Sequence, residues 1–70
     1  MGVQPGKYRH YKGGDYEVFF IARHSETEED VVVYRTLYGD RSYWVRPLQM
    51  FLETVDVDGV TLPRFEKIPD

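Results

Sequence analysis

The segment 31–47, VVVYRTLYGDRSYWVRP, constrains the fold more than any other part of the chain. Two runs of β-branched and aromatic residues, 31–38 and 42–46, flank a Gly-Asp pair, and the second run stops at Pro47. Residues of these types fit a pleated, half-buried strand, and a Gly-Asp pair between two such runs is typical of a tight turn. The segment therefore predicts a β-hairpin.

The register of this hairpin decides which side chains share a face. With Gly39 and Asp40 as the two central residues of a type II′ turn, Arg35 lies directly opposite Trp44. Arg46 follows on the same face as Trp44, so a guanidinium could stack on the indole. A slip of one residue would exchange the two faces, and the sequence leaves open which of them is the core.

The rest of the chain consists of short apolar runs separated by turn residues. Strands are expected at 7–12, 16–23, 53–57 and 60–62, with most of both faces of 16–23 buried and a type I′ turn at Asp58-Gly59. An exposed acidic loop is expected at 24–30, and one helical or 3₁₀ turn at 47–51 is expected to place Met50 and Phe51 at one end of the core. Five or six short antiparallel strands in so short a chain predict an all-β fold, closed into a small SH3-like barrel. The whole of 1–70 is expected to be a single domain, ordered over about 6–65, with Phe65 and Ile68 of the tail docked on the barrel.

Composition excludes several classes of protein. The chain of 70 residues has no cysteine, so disulfides and thiolate metal sites are absent, and aromatic residues at 16% must supply the core. A net charge of −3 disfavours nucleic acid as a partner. No apolar run approaches the roughly 18 residues of a membrane span, and 1–12 lacks the apolar core of a signal peptide. We therefore expect a cytoplasmic monomer without a metal or a cofactor.

Four blocks, GKYRHYKGGDYEV, HSETEEDVVVYRTLYGD, WVRPLQMF and PRF, together resemble a bacterial family known only as domain of unknown function 1653. The resemblance extends from Gly6 to Phe65 and implies an SH3-like β-barrel, but no established activity. The family's recurring positions correspond here to His10, Tyr11, Lys12, Gly13, His24, Ser25, Glu26, Tyr34, Arg35, Leu37, Tyr38, Gly39, Asp40, Trp44, Val45, Arg46 and Pro47.

The predicted register gives the chain one candidate recognition surface. A tryptophan flanked by two cations suits a carboxylate, a phosphate or an extended peptide, although a core tryptophan with arginines that reach to solvent fits the same pattern. We predict a non-enzymatic recognition module that binds a peptide segment or a small anionic ligand. Aromatic rings would supply stacking area, arginines would pair with the anion, and a histidine would shape the rim; the residues are Trp44, Tyr38, Tyr11, Arg35, Arg46 and His24.

Two other functions remain open. A nucleic-acid-associated protein would use the same aromatic residues with Lys7, Arg9 and Lys12. A small hydrolase would use His24 or His10, but adjacent residues on a strand point to opposite faces, so His24 and Ser25 do not readily form a nucleophile-base pair. A loop-capping role for the 24–30 segment is favoured over catalysis, and nothing in the spacing of its carboxylates enforces a metal site.

Overall fold

The computed structural model describes residues 3–69, which form seven strands and one short helix. In chain order these are β1 (Gly6–His10), β2 (Asp15–Arg23), β3 (Asp30–Thr36), β4 (Tyr43–Pro47), α1 (Leu48–Phe51), β5 (Thr54–Val57), β6 (Val60–Pro63) and β7 (Phe65–Lys67). Five strands make one antiparallel sheet in the order β4-β3-β2-β1-β7, and β5 and β6 form a separate hairpin. The predicted all-β fold is confirmed, with more strands than expected.

The five-stranded sheet curls around the core but does not close into a barrel. Strands β4 and β7 are its two edges, and no ladder of hydrogen bonds joins them. Aromatic packing brings them together instead, because Phe65 of β7 stacks on Phe51 of α1 with ring centroids 4.5 Å apart. Arg46 of β4 then lies over the Phe65 ring, 5.1 Å from its centroid. The buried cluster is Tyr8, Val18, Val32, Tyr34, Phe51 and Phe65.

The hairpin of β3 and β4 is present, but its predicted register is wrong by one residue. Tyr34 lies opposite Trp44, and Arg35 lies opposite Tyr43. The expected turn does form, since the Arg41 N–H donates to the Tyr38 carbonyl at 3.2 Å. However, Arg41 adopts a left-handed conformation with φ of 57° and cannot pair with Tyr38 in the ladder. The ladder therefore begins at Ser42 on this side of the turn. Arg41 is thus an additional loop residue, and it shifts the side chains of β4 to the opposite face from the one predicted.

Two faces of the β3–β4 hairpin result from this register. The groove face, which turns towards the core, carries Tyr34, Trp44 and Arg46, and the outer face carries Arg35, Tyr43 and Val45. A β-bulge between Val18 and Phe20 of the neighbouring strand β2 extends the outer face. Phe19 packs there on Tyr43 at a centroid distance of 5.8 Å, and Phe20 is 58% exposed rather than buried as the apolar run predicts.

The later part of the chain follows its predictions more closely. The helical turn α1 buries Phe51 as expected but leaves Met50 exposed. Asp58 and Gly59 both have positive φ, 51° and 80°, as the predicted type I′ turn requires. The tail does more than dock, since Phe65 begins β7 and belongs to the core. Within residues 3–69, no helix is long and apolar enough to cross a membrane.

Candidate ligand-binding groove

An aromatic groove opens on the groove face of the sheet, between strands β2, β3 and β4 and the loop after β3. Its volume is about 410 Å³. Trp44 forms one wall and is 53% exposed, which shows that this side chain is not part of the core. The groove is lined by Tyr16, Tyr34, Thr36, Tyr38, Gly39, Asp40, Trp44 and Arg46.

Three tyrosines form the floor and the second wall. Tyr16 contacts Tyr34 and Tyr38 edge-to-face, with centroid distances of 5.5 and 5.6 Å. The hydroxyl groups of Tyr16 and Tyr38 are hydrogen-bonded to each other at 2.7 Å. One hydroxyl donates in this bond, so the other keeps its own proton for a second partner. The pair can therefore offer a donor to a ligand in the groove.

A glycine allows this wall to form. Gly14 has φ of 93°, and a Cβ atom placed there would lie 3.2 Å from Cε1 of Tyr38. That separation is shorter than an ordinary carbon–carbon contact. The close approach of Tyr38 to the β1–β2 turn thus requires the absence of a side chain at residue 14.

Burial and hydrogen bonding make Tyr16 resistant to ionisation. Burial of Tyr16, its hydrogen bond to Tyr38 and the proximity of the other tyrosines raise its pKa to about 12. The Tyr16 hydroxyl consequently acts as a neutral hydrogen-bonding group near neutral pH and is not available as a tyrosinate base.

Arg46 supplies the positive charge of the groove. Its guanidinium packs on Phe65 and forms no ion pair within residues 3–69. His10 lies edge-on to the same ring at 5.0 Å. Burial lowers the pKa of His10, and the nearby charge of Arg46 lowers it further. A carboxylate bound to Arg46 would oppose the second effect, so His10 can report on binding in the groove.

Asp40 places a negative charge at the opposite end of the lining. Its Oδ1 atom accepts the Ser42 N–H at 3.1 Å, and hydrogen bonding to Ser42 lowers the pKa of the carboxyl group. Because this bond holds the Tyr38–Ser42 loop together, Asp40 has a structural role as well as a position in the groove. The groove therefore has a cation at one end and an anion at the other.

The structure brings together three of the six predicted ligand-binding residues. Trp44, Tyr38 and Arg46 line one groove. Arg35 does not lie beside Trp44, because the one-residue change in register moves it to the outer face. There it packs over Tyr43, 5.3 Å from the ring centroid, and its Nε donates to the Arg41 carbonyl. The predicted stacking of Arg35 on Trp44 is therefore wrong.

Tyr11 and His24 also lie away from the groove. Tyr11 belongs to the β1–β2 turn, stacks beside His10 and lines a separate cavity of about 170 Å³. His24 follows the end of β2 opposite to Tyr16, and eight residues of extended strand span roughly 26 Å. Its Nδ1 accepts the backbone N–H groups of Glu26 and Thr27 at 3.1 and 3.3 Å, so it caps a loop and does not shape the rim.

The residues of the alternative functions are not collected into a site. Arg9 is held by Asp15 in an ion pair of 2.8 Å, and none of the three basic residues of the nucleic-acid hypothesis lines the groove. The Nδ1 atom of His10 accepts the Lys12 N–H, so both histidine rings bond to backbone amides. No three His, Asp or Glu side chains of the described part of the chain converge as metal ligands.

Sequence reasoning missed Tyr16, Tyr34 and Asp40 as groove residues. Tyr16 is the second residue of β2 and pairs with Thr36, which places it on the same face as Tyr34. Assigning them required the correct hairpin register and the position of β2 beside β3. The sequence predicts a turn position for Asp40 and no contact with a ligand. Asp40 also lines the groove because the loop between β3 and β4 is one residue longer than predicted, and its carboxylate accepts the Ser42 N–H within that loop.

The fold and the groove define a class: a small all-β domain with an open curled sheet and an aromatic ligand-sized groove beside an edge strand. The chain belongs to the family described as protein of unknown function DUF1653, whose model matches residues 6–67. It is similar to a crystal structure of a member of that family from Bordetella bronchiseptica, with 43% identity and a TM-score of 0.86. The match covers 94% of this chain and 87% of that one. The family resemblance noted in the sequence is thus confirmed, while comparison with curated proteins gives no match.

Proposed function

We propose that this protein is a non-enzymatic recognition module whose aromatic groove binds a peptide segment or a small anionic ligand. The observation that carries the proposal is the half-exposed Trp44 beside Arg46 in a concave site. Exposed apolar side chains that gather in one patch mark binding surfaces, and aromatic and arginine side chains are enriched where partners bind. Arg46 supplies a charge-assisted hydrogen-bond donor for a carboxylate or a phosphate.

The proposal differs from the sequence prediction in its residues. Tyr16 and Tyr34 take the place of Tyr11 as stacking surface, and the Tyr16–Tyr38 hydroxyl pair adds a donor. Among the described residues that line the groove, Arg46 is the one cation. The neutral Tyr16 hydroxyl and the backbone-bonded histidines favour binding over proton-transfer chemistry.

The experiment is a chemical-shift titration of labelled protein with pools of short peptides, small carboxylates and inorganic phosphate. We expect shifts at the Trp44 indole N–H and the Tyr38 amide, together with a rise in the pKa of His10 as a bound anion neutralises Arg46. Arg46→Gln should weaken binding by on the order of tenfold or more, as loss of a charge-assisted hydrogen bond predicts.

Arg35→Gln is the matched control, since it removes an arginine from the opposite face of the same hairpin and should leave the binding of small carboxylates and inorganic phosphate in the groove unchanged. Oligonucleotides at low and high salt test the nucleic-acid alternative, because phosphate contacts make affinity fall steeply with salt. Silence of Trp44 and Tyr38 towards every pool would contradict the proposal.

A further inference from the structure

Strand β4 leaves an unpaired backbone edge next to the groove. It pairs only with β3 in the part of the chain that the structure describes. The Thr36 N–H donates to the Ser42 carbonyl at 3.2 Å, which makes these two residues a hydrogen-bonded pair. Because bonded and non-bonded pairs alternate along an antiparallel ladder, Trp44 also bonds to β3. The N–H and C=O groups of Tyr43 and Val45 therefore point away from β3, towards the open side of β4.

The first three residues of this edge lack the usual protection against an added strand. Edge strands are commonly blocked by a charge, a proline or a bulge. Tyr43, Trp44 and Val45 include none of these, whereas Arg46 and Pro47 at the end of β4 limit the open edge to three residues. Tyr43 and Val45 are 67% and 59% exposed on the outer face, while Trp44 is exposed on the groove face. Both side-chain faces of the edge are consequently accessible together with its backbone.

The charge of the hairpin indicates which partner suits this edge. The segment 31–47 contains three arginines and one aspartate, a net charge of +2. Since the whole chain has a net charge of −3, the remaining residues together carry −5. None of the three arginines forms an ion pair with another described residue. An acidic segment is attracted to such a surface, whereas a second copy would bring another net-positive hairpin to it.

An added antiparallel strand would contact both faces in alternation. Its residues opposite Tyr43 and Val45 would exchange backbone hydrogen bonds with β4 and point to the outer face, where Phe19 and Phe20 extend the apolar surface. The intervening residues would point towards Trp44 and the groove. Apolar side chains suit the first set and carboxylates, near Arg46, suit the second.

We propose that β4 binds an extended acidic peptide as an additional antiparallel strand, with apolar residues on the outer face and carboxylates towards Arg46. This inference rests on the proposed function, because it specifies the chemistry and the binding mode of the peptide recognised at the groove. Strand addition derives its affinity from main-chain hydrogen bonds and its specificity from alternate side chains.

The test uses a short blocked peptide in which valine and glutamate alternate, together with two versions of it that carry N-methyl groups. Methylation of the valine nitrogens removes the donors that face β4, whereas methylation of the glutamate nitrogens alters donors that face away. We expect the parent and the glutamate-methylated peptide to shift the Tyr43 and Val45 amides and the Trp44 indole. Methylation of the valines should weaken binding by on the order of tenfold or more. A lysine-for-glutamate version is the charge control and should bind more weakly than the parent.

Two results would overturn strand addition. Equal binding of the parent and both methylated peptides, with shifts at Trp44, would show that side chains alone are recognised, and the proposed function would stand. Protection of the Tyr43 and Val45 amides in a dimer that forms without peptide would assign the edge to a second copy. Failure of the proposed function looks different, since Trp44 and Tyr38 would then respond to none of the peptides or anions.

Discussion

The two faces of the β3–β4 hairpin contain the same pair of chemical groups in different settings. On the groove face Arg46 packs over Phe65, and on the outer face Arg35 packs over Tyr43, at similar distances of 5.1 and 5.3 Å. Phe65 belongs to the opposite edge of the curled sheet, while Tyr43 is the cross-strand neighbour of Arg35. The contact of Arg46 with Phe65 joins the two edges of the sheet over the core. The contact of Arg35 with Tyr43 joins only two neighbouring residues on the surface of the hairpin.

This difference shows why residue type alone does not identify the binding surface. Both arginines lie on one hairpin, and neither has an acidic partner in residues 3–69. Arg46 borders a concave site because the curl of the sheet brings β7 beneath it. Arg35 lies on the outer face and does not line this groove. The shape that the core imposes on the sheet, rather than the local sequence, separates their roles.

The largest effect should come from removing Phe65, the ring beneath Arg46, and a much smaller one from removing Tyr43, the ring beneath Arg35. Phe65 is buried and also stacks on Phe51, so Phe65→Ala should lower the free energy of unfolding by about 3–5 kcal/mol. Tyr43→Ala, on the exposed outer face, should lower it by about 1 kcal/mol or less. Urea denaturation followed by Trp44 fluorescence measures both.

Phe65→Leu keeps much of the volume and serves as a second variant if Phe65→Ala does not fold. It should fall between the other two. Equal losses for the Phe65 and Tyr43 variants would contradict the distinction between the two contacts.

The fold was largely predictable, because the types of neighbouring residues determine where its strands and turns form. Short-range conformational preferences account for the turn at Asp58-Gly59, the helical turn that ends at Phe51 and the strands themselves. The face of each hairpin residue was not predictable. It depends on the left-handed conformation of Arg41, which a non-glycine residue adopts only where the surrounding loop favours it.

The groove was predictable in part for the same reason. Trp44 and Arg46 share a face in any register because they are two residues apart, so they lie on one face despite the error in the predicted register. The predicted contact of Arg35 with Trp44 depended on the pairing between the two strands, so the change in register removes it. Tyr11 and His24 were assigned by residue type, and their true positions depend on the long-range arrangement of β2.

A smaller effect should come from the wall of the groove. Gly14→Ala places a methyl group 3.2 Å from Tyr38 in a residue with positive φ, so it should cost about 1–3 kcal/mol and displace the Tyr38 ring. Gly13→Ala is the matched control, because its φ of 101° imposes a similar backbone strain with no atom within 4 Å of the new Cβ. Urea midpoints and the Tyr38 ring resonances compare them. Identical effects on Tyr38 would show that the contact does not shape the groove.

The smallest effect should be a pH dependence confined to the groove face. Because the pKa of Tyr16 is raised to about 12 in the folded protein, the native state retains a proton that the unfolded chain releases from about pH 10 upwards. The stabilisation from Tyr16 is therefore fully present below about pH 10 and declines as the pH rises towards 12.

Tyr16→Phe removes this titration, so the difference in unfolding free energy between the two proteins should shrink over that interval. A difference that stayed constant from neutral pH to about pH 12 would mean that the hydrogen bond to Tyr38 and the burial of the ring do not retain the proton, and that the hydroxyl pair is open to solvent.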